Sequence, residues 1–389
     1  MTTTKTVDTR RGRRDLAVLT AGLGVSIAGD AAALIALLLR LQPHGSGWVA
    51  ALLAAELAPF VVLAPVVGRV VDRFETRAVL IAALLGQAVV AVPLALLDGP
   101  LPTVLLFAAL ASLSAFVRPA TNALVPAITG PEGQQRGFAR LGLGFGLGWI
   151  VGPAAGGLLT GWFGVRTTVL ADAATFAVLA GTCALLTVRR RPDPSANGRD
   201  RSGGLRLLLA DRVLSVAILG VAVCTGAAIV DNVAAPFRFI DQLGASDSQY
   251  GLYLTLWGVG SLAGAQVLPL LRLSHRTALA VACLTIGAGI AGIGVAPVLL
   301  LAYAAAVLGG VGNGMLNVAQ SALVTARTPP ERHGRAFATV GAVVQTAIGV
   351  GTAAAAPLVA WLGGGGAMLT AGLTSMAAAV TVLLLTGSA

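Results

Sequence analysis

The chain is poor in charge. Asp, Glu, Lys and Arg make up 11% of its 389 residues, against about 25% in a soluble domain. That shortfall argues against an ordinary water-soluble enzyme. Cysteine is scarce as well. Cys183, Cys224 and Cys283 all fall in apolar stretches at unrelated spacings, which fits neither a metal site nor an extracellular disulfide framework. Lys5 is the only lysine among 26 basic residues. The net charge of +10 does not mark a nucleic-acid binder, because the arginines gather in alternate loops and form no single basic face. No nucleotide-binding signature and no nucleophile–base or metal-ligand cluster is present. The expectation is therefore a protein that is not an enzyme and uses no metal or cofactor.

Apolar sequence is what the chain has in abundance. Hydrophobic residues account for 56%. They gather into about twelve stretches of roughly 20 residues, enough to cross a hydrocarbon core of about 30 Å at about 1.5 Å per residue. Backbone groups cannot go unpaired in lipid, so these stretches are expected to be helices. The 50 glycines and 18 prolines suit closely packed or kinked membrane helices. The expected spans are 16–41, 47–68, 77–97, 101–127, 138–162, 167–188, 213–238, 249–271, 277–295, 297–324, 336–361 and 365–386.

Arginine sets the orientation. Arg69, Arg73 and Arg77, then Arg136 and Arg140, then the run from Arg189 to Arg212, then Arg272 and Arg276, then Arg327, Arg332 and Arg335 occupy every second connection. The other connections hold little beyond Arg40, Arg166 and Arg238. By the positive-inside rule both termini are cytoplasmic. Residues 1–15 read as a basic cytoplasmic tail, with no convincing cleavage site before the first span. Residues 189–212 are polar and rich in Pro, Ser and Gly, which is a linker composition. They separate an N-terminal bundle, 16–188, from a C-terminal one, 213–389.

The two bundles are related in sequence. Residues 319–341 repeat residues 120–142 at about half the positions, with Pro131/Pro330, Glu132/Glu331, Arg136/Arg335 and Phe138/Phe337 among the matches. A parallel six-helix repeat is the architecture of major facilitator transporters. The connection after span 2 reads Gly68-Arg-Val-Val-Asp72-Arg73-Phe-Glu-Thr-Arg77 and resembles that superfamily's loop signature, with Thr76 in place of one closing basic residue. The resemblance implies a cytoplasmic gate built from Gly68, Asp72, Arg73 and Arg77. Gly68 would allow close backbone approach, and Asp72 would pair with an arginine or a helix N-terminus. Span 5 contains Gly148-Trp-Ile-Val-Gly152-Pro153-Ala-Ala-Gly156-Gly157. This is similar to the string carried by exporting, proton-antiporting members. Its glycines share one helical face and permit tight packing, and Pro153 permits a kink. Together with Ser26-Ile-Ala-Gly-Asp30, the likeness extends to the bacterial multidrug and siderophore exporter branch. It implies an all-α membrane protein of twelve helices in two pseudo-symmetric six-helix bundles. In span 4 the chain keeps Arg118 but has Thr121 and Asn122 where other branches carry Gln-Gly. That departure weakens a proton-relay role for Arg118.

Charges inside a bilayer cost roughly 2.5–3.5 kcal/mol on insertion scales and mark pathways. Asp30, Glu56, Arg118, Asp172 and Asp231 fall within the expected spans. Asp30 lies about 21 Å from the cytoplasmic start of its helix and Glu56 about 13 Å from the outer start of its own. The two are thus expected at one level, where a proton can be held between dry carboxyls. Asp231 stands where Asp30 stands in the first half. These three are the proton-coupling candidates. Asp172 is expected near the outer end of span 6, at the interface. Arg118, Asn122, Asn232, Asn313, Asn317 and Gln345 are cavity or ion-pair candidates. Asn317 and its polar neighbours are also candidates for interhelical hydrogen bonds. Aromatics amount to 5%, and Trp149, Tyr253, Trp257 and Phe237 could meet a planar or amphipathic molecule.

The expected function is proton-coupled export of small amphipathic molecules, such as drugs or secondary metabolites, by alternating access. The expected setting is a monomer in a bacterial cell membrane, with the lipid bilayer and a small-molecule substrate as partners. The proton gradient would be its energy source. Uptake of a nutrient by proton symport and a non-transporting membrane sensor are the alternatives.

Overall fold

The computed structural model describes residues 9–188, 211–329 and 333–386. These are helical almost throughout, as apolar stretches of this length require. They run as α1 (Thr9–Leu41), α2 (Ser46–Val62), α3 (Ala64–Arg73), α4 (Thr76–Leu96) and α5 (Pro100–Ala184). After the linker come α6 (Arg212–Ala228), α7 (Val230–Pro236), α8 (Asp247–Val267), α9 (His275–Val295), α10 (Leu299–Arg327) and α11 (His333–Thr386). Among the described residues, nine helices are long and apolar enough to cross a membrane. The 85-residue α5 is kinked at Gly130 and Gly164, and α11 at Gly363. At these points φ is 68°, 79° and 69°, the left-handed region that a side chain disfavours. Each kink turns the chain without a loop. The linker 189–210 lies outside the described residues.

The chain divides into two compact units. One comprises Met1–Leu41 and Ala51–Gly198, the other Gln42–Ala50 and Arg199–Ala389.

Three departures from the expected spans have local causes. The first helix starts at Thr9, so the arginines of the basic tail occupy its opening turns. There Asp15 is buried and accepts from the backbone N–H and the hydroxyl of Thr187, at 2.9 and 2.7 Å. Expected span 2 is broken at Leu63 into α2 and α3, because Pro65 offers no N–H to continue the ladder. Expected span 7 is broken at Ile229 and ends in a π-type turn over Phe237–Gln242. Pro236 cannot donate to the carbonyl of Asn232, which loosens the helix around Asp231.

In the first unit, α1 packs on the second segment of α5 backbone to backbone. A Cβ added at Gly144 would lie 2.8 Å from the Thr20 carbonyl, at Gly148 2.7 Å from that of Gly24, and at Gly152 2.7 Å from that of Ala28. At Gly156 it would lie 2.6 Å from the Ala32 Cα. Four small residues spaced by four on each helix make one seam, and its geometry leaves no room for a methyl group. The seam fixes the rotation of α1 and hence the direction of Asp30. The second unit repeats the device: α6 meets α11 with Gly226 against Ala347 and Gly351.

Two of the three arginines expected in the outward connections, Arg40 and Arg238, have matching roles. Arg40, at the end of α1, donates to the carbonyls of Leu94 (2.8 Å), Ala95 and Leu97 (both 3.3 Å) at the C-terminus of α4. Arg238 donates to Ile293 (3.1 Å) and Ala296 at the C-terminus of α9. A guanidinium satisfies several orphan carbonyls at once and complements the negative helix end. Arg40→Ala and Arg238→Ala should each cost about 1 kcal/mol. Lysine should restore only part, because it lacks the planar fork. Thermal unfolding of detergent-purified protein, which should rank wild type above Lys above Ala, checks this.

Candidate functional site

The first unit encloses a cavity of about 180 Å³. α1 brings Asp30 to its wall, α2 Glu56, α4 Gln87, the first segment of α5 Arg118, and the third segment Asp172. Phe60, Phe107, Phe145, Trp149 and Phe176 line it together with ten aliphatic side chains. Three carboxyls and one guanidinium thus converge in a largely apolar chamber. Asp30 lies within electrostatic range of both Glu56 and Asp172. The Arg118 guanidinium sits over the Phe145 ring, 5.2 Å from its centroid, so a π-face holds the cation.

Asp172 differs from the expectation of an interfacial residue. It is 2% exposed and lines the same cavity as the other two acids. Its Oδ1 accepts from the Thr175 hydroxyl at 3.2 Å. The pair packs directly on Gly29, where an added Cβ would collide with both that oxygen and the Thr175 hydroxyl. Sequence reasoning also passed over Gln87. It is 1% exposed, and its Oε1 has no hydrogen-bond partner among the described residues. The available signal was a lone amide in mid-helix. An unpartnered buried acceptor costs about 1–3 kcal/mol. Gln87→Met should therefore raise the thermal midpoint while lowering transport, a trade characteristic of functional polarity. Equal losses in both readouts would make Gln87 a structural residue.

A second cavity, of about 200 Å³, lies in the second unit and is lined by Asp231, Asn232, Tyr253, Trp257 and Asn313 among others. Asp231 is 5% exposed and accepts a hydrogen bond from the Tyr253 hydroxyl. Tyr253 stacks on Phe239 with ring centroids 4.4 Å apart. Asn317 donates to Asn313, to both its carbonyl and its side-chain oxygen at 3.0 Å. This bond lies within α10, where an interhelical one was expected. Gln345 is exposed and lines neither cavity. Asn122 lines a further space with Arg118, Phe60 and Gly68.

The residues expected to form a gate fall at one end of the first unit. Gly68, Asp72 and Arg73 lie on α3. The side chain of Asp72 is outside the described residues. A Cβ at Gly68 would meet nothing within 4 Å among the described residues, where a close backbone approach was expected. Arg73 is exposed. Arg77 donates to the carbonyls of Ala184 and Leu186, where α5 ends, and so caps a helix. In the exporter-like string Gly148, Gly152 and Gly156 form the seam with α1. Pro153 and Gly157 are buried beside it. The three cysteines are free and buried. Among the described residues no group of three His, Cys, Asp or Glu is arranged to hold a metal ion.

A family model described as Major Facilitator Superfamily matches residues 15–237 and again residues 216–388. The chain belongs to the major facilitator superfamily. It is thus a multi-pass membrane transporter, and the two matches overlap over residues 216–237. Among curated relatives it is 28% identical over 368 residues to the multidrug efflux pump Tap of Mycolicibacterium fortuitum, covering 88% of this chain and 87% of that protein. It is 31% identical over 286 residues to the Tap pump of Mycobacterium tuberculosis strain H37Rv, covering 68% and 67%. Among solved structures, the nucleoside transporter NupG superposes with a TM-score of 0.80 at 12% identity, covering 95% of this chain and 98% of that one. A peptide-bound POT family transporter gives 0.75 at 11%, covering 96% of each. At such identities the superpositions carry the superfamily fold and nothing about substrate.

Proposed function

We propose that this superfamily member is a proton-coupled exporter of small amphipathic molecules, crossing the plasma membrane of a bacterium twelve times with both termini in the cytoplasm. The observation that carries the reading is the convergence of Asp30, Glu56 and Asp172 on one largely apolar cavity in the first unit. Carboxyls this close in an apolar chamber repel one another when charged. A proton taken from one aqueous phase can be released to the other when access alternates. The apolar and aromatic lining suits an amphipathic solute, and Arg118 supplies a cation that can compete with the proton. The efflux-pump relatives support the direction of transport, as does the glycine string that seats α1. On this reading the residues named as the gate control access from the cytoplasm, and the energy source is the proton gradient.

Inverted membrane vesicles test the proposal. A chemically diverse panel of amphipathic compounds is offered with and without an imposed proton gradient. Accumulation inside the vesicles that requires the gradient and collapses with a protonophore is expected for some of the panel. Accumulation only in right-side-out vesicles would reverse the direction to uptake. Gradient-independent equilibration would remove proton coupling.

A further inference from the structure

The cavity of the second unit differs from that of the first in its balance of charge. Among the described residues no Arg, Lys or His lines it, and Asp231 is the one carboxylate. The Tyr253 hydroxyl donates to Asp231 Oδ2. Oδ1 is buried and without a hydrogen-bond partner among the described residues. The side chain is 5% exposed and belongs to a residue that lines the cavity. Burying a carboxylate with one oxygen unsatisfied is costly, and the missing group is a donor. Protonation of Asp231 would not remove the deficit, because the new O–H would itself need an acceptor.

The surroundings indicate what donor fits. The aromatic rings of Trp257 and Tyr253 line the cavity, and aromatic faces attract a cation. Tyr253 is held by its stack on Phe239, so its hydroxyl and its ring are fixed in place. Asn232 and Asn313 add side-chain amides at the wall. The helix carrying Asp231 is interrupted at Ile229 and again beyond Pro236, and such irregular backbone is tolerated at membrane depth where it is packed in protein or lines a cavity. A volume of about 200 Å³ suits the head of a molecule better than the whole of a drug-sized one.

We infer that this second-unit cavity is a seat for the protonated amine of an amphipathic substrate, with an ammonium N–H donating to Asp231 Oδ1 and the charge resting against Trp257 and Tyr253. The inference deepens the transport reading by naming a substrate class. It also assigns Asp231 to substrate and leaves coupling to the acids of the first unit. The requirement for an N–H is its sharpest consequence. A quaternary ammonium satisfies the charge and the aromatic faces but leaves Oδ1 without a donor.

Equilibrium binding to the full-length protein in nanodiscs, with no gradient, tests it. The probes are 4-phenylbutylammonium, its N-trimethyl analogue and neutral 4-phenylbutanol, followed by tryptophan fluorescence and calorimetry. Wild type should bind the primary amine about ten- to a hundredfold more tightly than the alcohol, with the trimethyl analogue between them. Asp231→Asn should bring amine and alcohol together, while Asp98→Asn, at an exposed carboxyl that lines neither cavity, should leave the discrimination intact. Ala228→Leu, which narrows the cavity and keeps the carboxylate in the chain, should weaken all three probes and guards against an Asp231 variant that does not fold. Equal binding of amine and alcohol by wild type, or discrimination that survives Asp231→Asn, would overturn the assignment. Because no gradient is used, loss of proton coupling in the vesicle experiment would leave this result standing, and the reverse holds as well.

Discussion

Asp30→Asn is expected to reduce gradient-driven accumulation of substrate to the level seen without a gradient, while leaving expression and the thermal midpoint close to wild type. The asparagine matches the carboxyl in shape and removes the proton it can carry. Glu56→Gln should do the same, because the two side chains share a cavity wall and act on one another electrostatically. Downhill equilibration of substrate should persist in both variants, since neither substitution blocks the cavity. A double variant should be no worse than either single one if the acids work as a unit, the non-additivity expected of groups that share one task. Full gradient-driven accumulation by Asp30→Asn would take Asp30 out of the coupling mechanism.

Gly152→Val is expected to have the largest effect on folding. A Cβ there would lie 2.6 Å from the Ala31 Cβ and 2.7 Å from the Ala28 carbonyl, so α1 must move away from α5. Overpacking of this kind costs about 1–3 kcal/mol. The displacement would also carry Asp30 away from its neighbours, so transport should fall even in the protein that survives purification. Gly146→Ala, on the same stretch of α5 but with open space at its Cβ, is the matched control and should behave as wild type. Size-exclusion profiles and thermal unfolding of the pair check this. Equal stability of the two variants would contradict the seam.

Much of this was legible in the chain. The apolar runs announced membrane helices because hydrocarbon offers the backbone no other partner. The glycine spacing of span 5 announced a packing face, since residues four apart share one side of a helix. What sequence missed depended on turns it could not place. Asp172 was expected near the outer interface, but Gly164 adopts a positive φ and begins the descending helix early. Asp172 therefore lies about 12 Å below the kink, at the depth of the cavity. The pairing of Asp231 with Tyr253 depends on α8 lying beside the broken helix, which no local pattern encodes. Gln87 looked like one more polar residue in an apolar helix until its neighbours were known. Arg40 and Arg238 read as exceptions to the charge rule, and their role as caps on neighbouring helices appears only in the folded chain.

Proton movement driven by substrate tests directly whether transport is coupled to protons. Purified protein in liposomes containing a pH-sensitive dye, with no gradient imposed at the start, is given an amphipathic substrate on one side only. The account predicts a substrate-dependent proton flux in the direction opposite to the substrate, absent from Asp30→Asn and Glu56→Gln. Substrate crossing with no accompanying proton flux in the wild-type protein would contradict it.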